Sequence, residues 1–306
     1  MMLSSGAMGE GISDWSRFER LTPFRVRDVL LVASHFDHYL LEESGYLAEI
    51  MQEEYSDLNL SQAPRIIHSP DARDALRLLN TREFDLVITM TRVGEMDVKA
   101  FGTEAKRVIE GLPVVMLSHN TRELATLSAG DGIDRIFVWT GDSRILLSIC
   151  KLIEDERNVE NDVRDGDVQV ILLVEDSRRF YSAYLPLLYT QLVNQTTRLM
   201  GEGGNLHEKL LRLRARAKIL LASDMNSAKS VIDRYHNNII GIFTDGKFPN
   251  QGGQRDTAGL ELVRYAQEGH RYMPILFQSK NLELKEDAES LDVRFLHKED
   301  TQLYRR

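Results

Sequence analysis

One pattern, carried twice, constrains this chain more than any other feature. Short, almost unbroken apolar runs alternate with longer stretches of helical spacing. In the first half the apolar runs are DVLLVAS (28–34), PRIIHS, FDLVITM, LPVVMLS and RIFVW. In the second half they are VQVILLVED (168–176), KILLAS, IIGIFTD, PILFQS and RFLHK. Such runs predict strands buried on both faces, and burial on both faces calls for a parallel sheet covered by helices. Between them, HYLLEESGYLAEIMQEEYSDL (38–58) places Leu40, Leu41, Leu47, Ile50, Met51 and Tyr55 at three- and four-residue steps. DARDALRLLNTR follows Ser69-Pro70-Asp71 as a helix-start signal, and DVKAFGTEAKRVIE, TRELATLSA and DSRILLSICKLIEDERNVE continue the alternation. The pattern predicts an α/β chain of two domains, each a (βα)5 doubly wound parallel sheet.

The two copies match element for element: VLLVAS with ILLVED, DLVITM with GIFTD, PVVMLS with PILFQS, RIFVW with RFLHK. They set domains at 26–163 and 168–306, joined by the polar NVENDVRDGD (158–167) and preceded by a flexible segment over 1–25. The second copy carries about twenty extra residues between its first and second strands. It stops at LYRR, where a fifth helix is due, so truncation of a longer protein is expected. The region 177–215 is amphipathic and rich in tyrosine (Tyr181, Tyr184, Tyr189). It is expected to act as an arm docking on the first copy or on a second chain, rather than as a helix on its own sheet. GEGGN and QGGQ lack the Lys-Ser/Thr pair of a phosphate loop and read as flexible breaks.

Charge narrows the function classes. Lys+Arg 38 against Asp+Glu 47 leaves a net charge of -9, which argues against a nucleic-acid partner. The basic run in LRLRARAKIL reads as the solvated end of a helix. The single cysteine, Cys150, cannot form an intrachain disulfide, which fits a reducing compartment and a cytoplasmic protein. MMLSSGAMGEGIS has no basic region before an apolar core, and no stretch approaches ~18 uninterrupted apolar residues, so neither a secretory signal nor a membrane partner is expected. The histidines are scattered, and His297 reads as a strand residue.

Chemistry concentrates where the strands of the second copy end, since open parallel sheets bind ligands outside the carboxyl ends of their strands. The first strand ends on Glu175 and Asp176, the third on Asp245, the fourth on Ser279-Lys280, and the fifth runs through Phe295 to Lys298. Three carboxylates in one crevice repel, and a divalent cation removes that problem. Mg²⁺ on Glu175, Asp176 and Asp245 fits, with Asp245 able to act as a nucleophile toward phosphorus and Lys298 able to neutralise phosphoryl oxygens.

These residues make the second copy resemble a response-regulator receiver domain (CheY-like), flavodoxin-like in fold. The resemblance implies that Asp245 is the phospho-acceptor, that Glu175-Asp176 with Asp245 hold Mg²⁺, and that Lys298 completes the site. Ser279 and Phe295 are then the switch pair. Phe248 stands where the family usually has methionine, and Glu299 where proline often follows the lysine. A haloacid-dehalogenase-type phosphatase also uses a strand-end aspartate, but it needs a second Asp two residues on, where this chain has Lys247.

The first copy resembles a receiver in skeleton only. Ala33-Ser34 replace the acidic pair, Met90 the acceptor and Trp139 the lysine, while Ser118 stays in register. Asp85 lies at the wrong end of its strand, and Asp97 reads as a helix-start residue. The pairing, over about residues 17 to 306, is similar to the double-receiver module at the amino end of phosphoenolpyruvate-synthase-like proteins with a PEP/pyruvate-binding domain. That resemblance implies a two-component phosphorelay module rather than an enzyme, beyond Mg²⁺-dependent self-phosphorylation and autodephosphorylation. The phosphodonor would be a histidine kinase or a small molecule. The output would be a downstream protein or a carboxyl-terminal domain, with a homodimer as a further partner. The competing expectation is an unphosphorylated scaffold of a larger PEP-utilising protein.

Overall fold

The computed structural model describes residues 20–43, 63–119, 129–139, 141–142, 144–199, 214–250, 253–255, 257–269 and 273–298. Both expected sheets form. The first contains β1 (Asp28–Val32), β2 (Arg65–Ser69), β3 (Leu86–Met90), β4 (Val114–Ser118) and β5 (Arg135–Val138), all parallel, in the order β2-β1-β3-β4-β5. Helices α1 (His35–Glu43), α2 (Ala72–Leu79), α3 (Val98–Val108) and α4 (Arg144–Gly166) accompany it. The chain continues through β6 (Val170–Val174), α5 (Arg178–Leu199), β7 (Lys218–Ala222), α6 (Met225–Tyr235) and β8 (Ile239–Asp245). A short antiparallel hairpin follows, β9 (Phe248–Asn250) with β10 (Gly253–Arg255). Then come α7 (Ala258–Gly269), β11 (Ile275–Ser279), α8 (Leu284–Ser290) and β12 (Arg294–His297). The second sheet is again wholly parallel, ordered β7-β6-β8-β11-β12. Both orders are the flavodoxin-like 2-1-3-4-5, whose crevice opens beside the first and third strands.

The residues explain the elements. β3, β4 and β7 are buried at every position, as continuous apolar runs require. Asp71 caps α2 by accepting from Asp74 N, Asp97 caps α3, and Asp224 forms a capping box with Ser227 at α6. Asp85 has a structural task at the lower end of the first sheet, where its carboxylate accepts from the backbone N–H groups of Arg27 and Asp28.

Several expectations change. NVENDVRDGD, the expected junction, is helical almost throughout, because α4 runs unbroken to Gly166. Its polar residues are partly inward-facing: Asp155, Asn158 and Asp162 are fully buried. The basic run does not end in solvent either. Arg216 and Lys218 are buried, Arg216 grips Asp155 through two N–H groups at 2.7 and 2.9 Å, and Lys218 pairs with Asp162 at 2.8 Å. Burial pushes the Lys218 ammonium's pKa down, while Asp155 and Asp162 oppose that shift. Within the stretch expected to be flexible, Leu21 is buried. The sequence pattern missed α8, whose seven residues bury just Leu284 and Ala288, and the β9–β10 hairpin. The expected helix over TRELATLSA, the GEGGN break, most of the 38–58 helix, Glu299 and the carboxyl end lie outside the described residues.

The chain divides into two compact units that are interleaved in sequence rather than consecutive. The first gathers Thr22–Glu154 and Arg178–Arg214; the second includes Asp155–Ser177 and Ala215–Arg306. Helix α4 therefore gives its first half to one unit and its second half to the other. Helix α5 belongs with the first sheet, as expected of a docking arm. Tyr181 donates its hydroxyl to Ile136 O, Val138 N donates to Ser182 Oγ at 3.0 Å, and the Tyr181 ring meets Phe137 edge-on.

Candidate functional site

In the second unit, β6 and β8 are neighbours, so the residues that follow them emerge side by side at the carboxyl edge of the sheet. Glu175 N donates to Ala222 O, which fixes the turn out of β6. Thr244 Oγ1 donates to Asp245 O, and Gly246 N donates to Gln278 O, fixing the end of β8. At the far side, Lys298 N donates to Ser279 O as β12 ends. Three backbone–backbone bonds and one from the Thr244 hydroxyl thus aim four side chains at one place.

One oxygen each from Glu175, Asp176 and Asp245 lie within 4.8 Å of one another. Lys298 Nζ reaches into the group, 2.6 Å from Glu175 Oε2 and 2.7 Å from Asp245 Oδ2. Glu175, Asp245 and Lys298 are buried, while Asp176 is half-buried at the rim. Glu175 also accepts from Ser177 N at 3.0 Å through its other oxygen. Burial, reinforced by the Asp245 charge, pushes the Glu175 carboxyl up to about 8 against the opposing pull of Lys298. Burial likewise raises Asp245, again opposed first by Lys298. One ammonium does not balance three carboxylates in a desolvated site, so the arrangement favours either a retained proton or a further cation. Three converging carboxylate oxygens are the hard donor set that a magnesium-sized ion takes.

Ser279 and Phe295 lie on β11 and β12, the two strands beyond β8. Ser279 Oγ is buried and accepts from Asn281 N at 3.0 Å. It also lies just beyond Gly246, where an added Cβ would sit 3.2 Å from it. Phe295 is partly buried against the core, with its ring centroid 6.1 Å from that of Phe277. His297 is in β12, as expected, with a ring nitrogen 3.2 Å from Lys280 O.

Gly259, at the start of α7, was not legible from the strand ends. A Cβ there would lie 2.2 Å from Asp245 O, so the helix can approach the acidic strand end this closely only through glycine. Its one sequence signal is a glycine one residue into a helix, a position where glycine is otherwise unfavourable.

The first unit repeats the frame with different chemistry. Ala33 N donates to Ser69 O, Thr89 Oγ1 to Met90 O, and Trp139 N to Ser118 O, each echoing a bond at the acidic site. The side chains presented are Ala33, Ser34, Met90 and Trp139, none of them a carboxylate or an ammonium. Trp139 stacks edge-on with His119 instead.

Among the described residues, no helix is long and apolar enough to cross a membrane. No family model matches the chain, and no curated protein matches it. Among solved structures it is similar to the signal receiver domain of an HD domain-containing protein from Pseudomonas fluorescens Pf-5. The two share 20% identity over 45% of this chain and 94% of that one, with a TM-score of 0.34. It is also similar to a CheY-like response regulator receiver domain protein from Methanospirillum hungatei JF-1, at 18% identity over 44% and 98%, TM-score 0.35. A two-component system response regulator/GGDEF domain protein is similar over 91% of this chain and 94% of its own, at 16% identity and TM-score 0.34. The flavodoxin-like assignment itself stands on the strand order of the two sheets.

Proposed function

We propose that the second unit is a phospho-acceptor receiver and that the chain is a response-regulator module. The observation that carries this reading is the convergence of Glu175, Asp176 and Asp245 around Lys298 at the carboxyl edge of a 2-1-3-4-5 sheet. Asp245 supplies the nucleophile. One of its oxygens forms a bond to phosphorus as the bond to the donor's leaving group breaks, and that group departs with its electron pair. The donor is a phosphohistidine of a kinase or a small acyl phosphate. When bound to the three carboxylates, Mg²⁺ supplies positive charge facing the phosphoryl oxygens. Lys298 exchanges part of its pairing with Asp245 for an oxygen of the transferred group. Ser279 then turns its hydroxyl toward the new phosphate, and Phe295 repacks into the space behind it. The added charge, roughly -1.5 to -2 by analogy with other phosphorylated side chains, drives that rearrangement.

The first unit serves as a non-phosphorylatable contact module in this reading, supported by Met90 standing in the frame that holds Asp245. The order of the two copies agrees with the PEP-synthase-like double-receiver resemblance, in which a carboxyl-terminal region or a separate protein receives the signal. The test is incubation with acetyl phosphate and Mg²⁺ followed by intact mass. A single phosphate adduct is expected on the wild type and none on Asp245→Asn. An adduct-free wild type, together with no response to Mg²⁺ titration, would leave the chain a scaffold.

A further inference from the structure

Strand β5 is the terminal strand of the first sheet. Because Trp139 N–H points toward β4, where it meets Ser118 O, strand alternation turns Val138 N–H and Ile136 C=O outward. An outward-facing row of this kind is what another strand or a partner pairs with. Here α5 satisfies it: Tyr181 Oη donates to Ile136 O, and Ser182 Oγ accepts from Val138 N. Both side chains are buried.

We propose that α5 is the effector element of the acidic site, linking the state of Glu175 and Asp176 to the capping of the β5 edge. The inference rests on the receiver reading above. Ser182 is six residues beyond Asp176, and the intervening chain is a single non-helical residue, Ser177, followed by helix. Ser177 N–H is held by Glu175, the same carboxylate that pairs with Lys298. If Glu175 turned both oxygens toward a bound cation, Ser177 N–H, on the residue immediately before α5, would lose this acceptor. A helix moves as a rigid rod, so displacement of its first turn reaches Tyr181 and Ser182 directly. Loading of the site therefore loosens the cap on β5 and exposes an edge fit for an extended partner segment.

Hydrogen–deuterium exchange of the full chain tests this, with and without Mg²⁺ plus phosphate-mimicking beryllium fluoride. Loading should slow exchange around Asp245 and speed it at residues 135–139 by about fivefold, the scale of one lost hydrogen bond. Ser182→Ala should show the faster exchange at 135–139 without any addition and no further rise on loading; Tyr181→Phe should do the same at smaller amplitude. Protection around Asp245 with an unchanged β5 edge would overturn the inference and leave the receiver reading standing. No change at either place would overturn both.

Discussion

Glu175 is a residue whose surroundings change its chemistry. Its carboxyl is pushed up to about 8 from an ordinary 4.5. Below about 4.5 it is neutral in folded and unfolded chains alike, and its contribution to stability is fully present. As pH rises toward about 8 the unfolded chain ionises first, so that contribution is lost. In chelator, urea denaturation from acid to about pH 9 should show Glu175→Gln gaining on the wild type by roughly 1–3 kcal/mol. Added Mg²⁺ should reverse the order, since the ion holds the ionised carboxylate. A second residue-scale expectation concerns Gly259. Gly259→Ala should lower stability by roughly 1–3 kcal/mol and abolish phosphate uptake, read by urea midpoint and intact mass, because its Cβ overlaps Asp245 O. The acids themselves were legible because a strand's end fixes where its next side chain goes. Gly259 was not, since the close approach that demands it exists only after α7 has packed.

At the scale of elements, α4 shows why a polar stretch can mislead. Asp155 and Asp162 are seven residues apart, two helical turns, and so share one face. That face meets Arg216 and Lys218, and Ile219 N also donates to Asp155 at 2.9 Å. Read along the chain, acids and bases some 60 residues apart look like two wet surfaces; only the fold brings them together in burial. Asp155→Ala should cost about 3–5 kcal/mol in urea denaturation, because it strands a buried guanidinium. Limited proteolysis should spare 158–167, where a linker would be cut first. The ten strands of the two parallel sheets, by contrast, were all legible as short apolar runs, although the edge strands β2 and β12 are only partly buried.

For the whole molecule, the consequence lies in how the units share the chain. A fragment ending at 163 lacks α5, so its β5 edge loses the Tyr181 and Ser182 caps. Such a fragment should self-associate in size-exclusion chromatography with light scattering, where one extended to residue 199 stays monomeric. A fragment starting at 168 loses Asp155 and Asp162 and should be the less stable half. Two consecutive domains were the natural sequence expectation, because repeats advertise where copies begin and not which helix crosses to which sheet. The interleaving also sets a clock on biosynthesis. Val138 and Ser182 are 44 residues apart, so at ~5–20 residues per second the ribosome needs about 2–9 s to deliver the cap after the strand it covers. During that interval every nascent copy carries an unfinished edge. Polysomes, where such edges crowd together, are where the chain is most exposed to mispairing with its siblings.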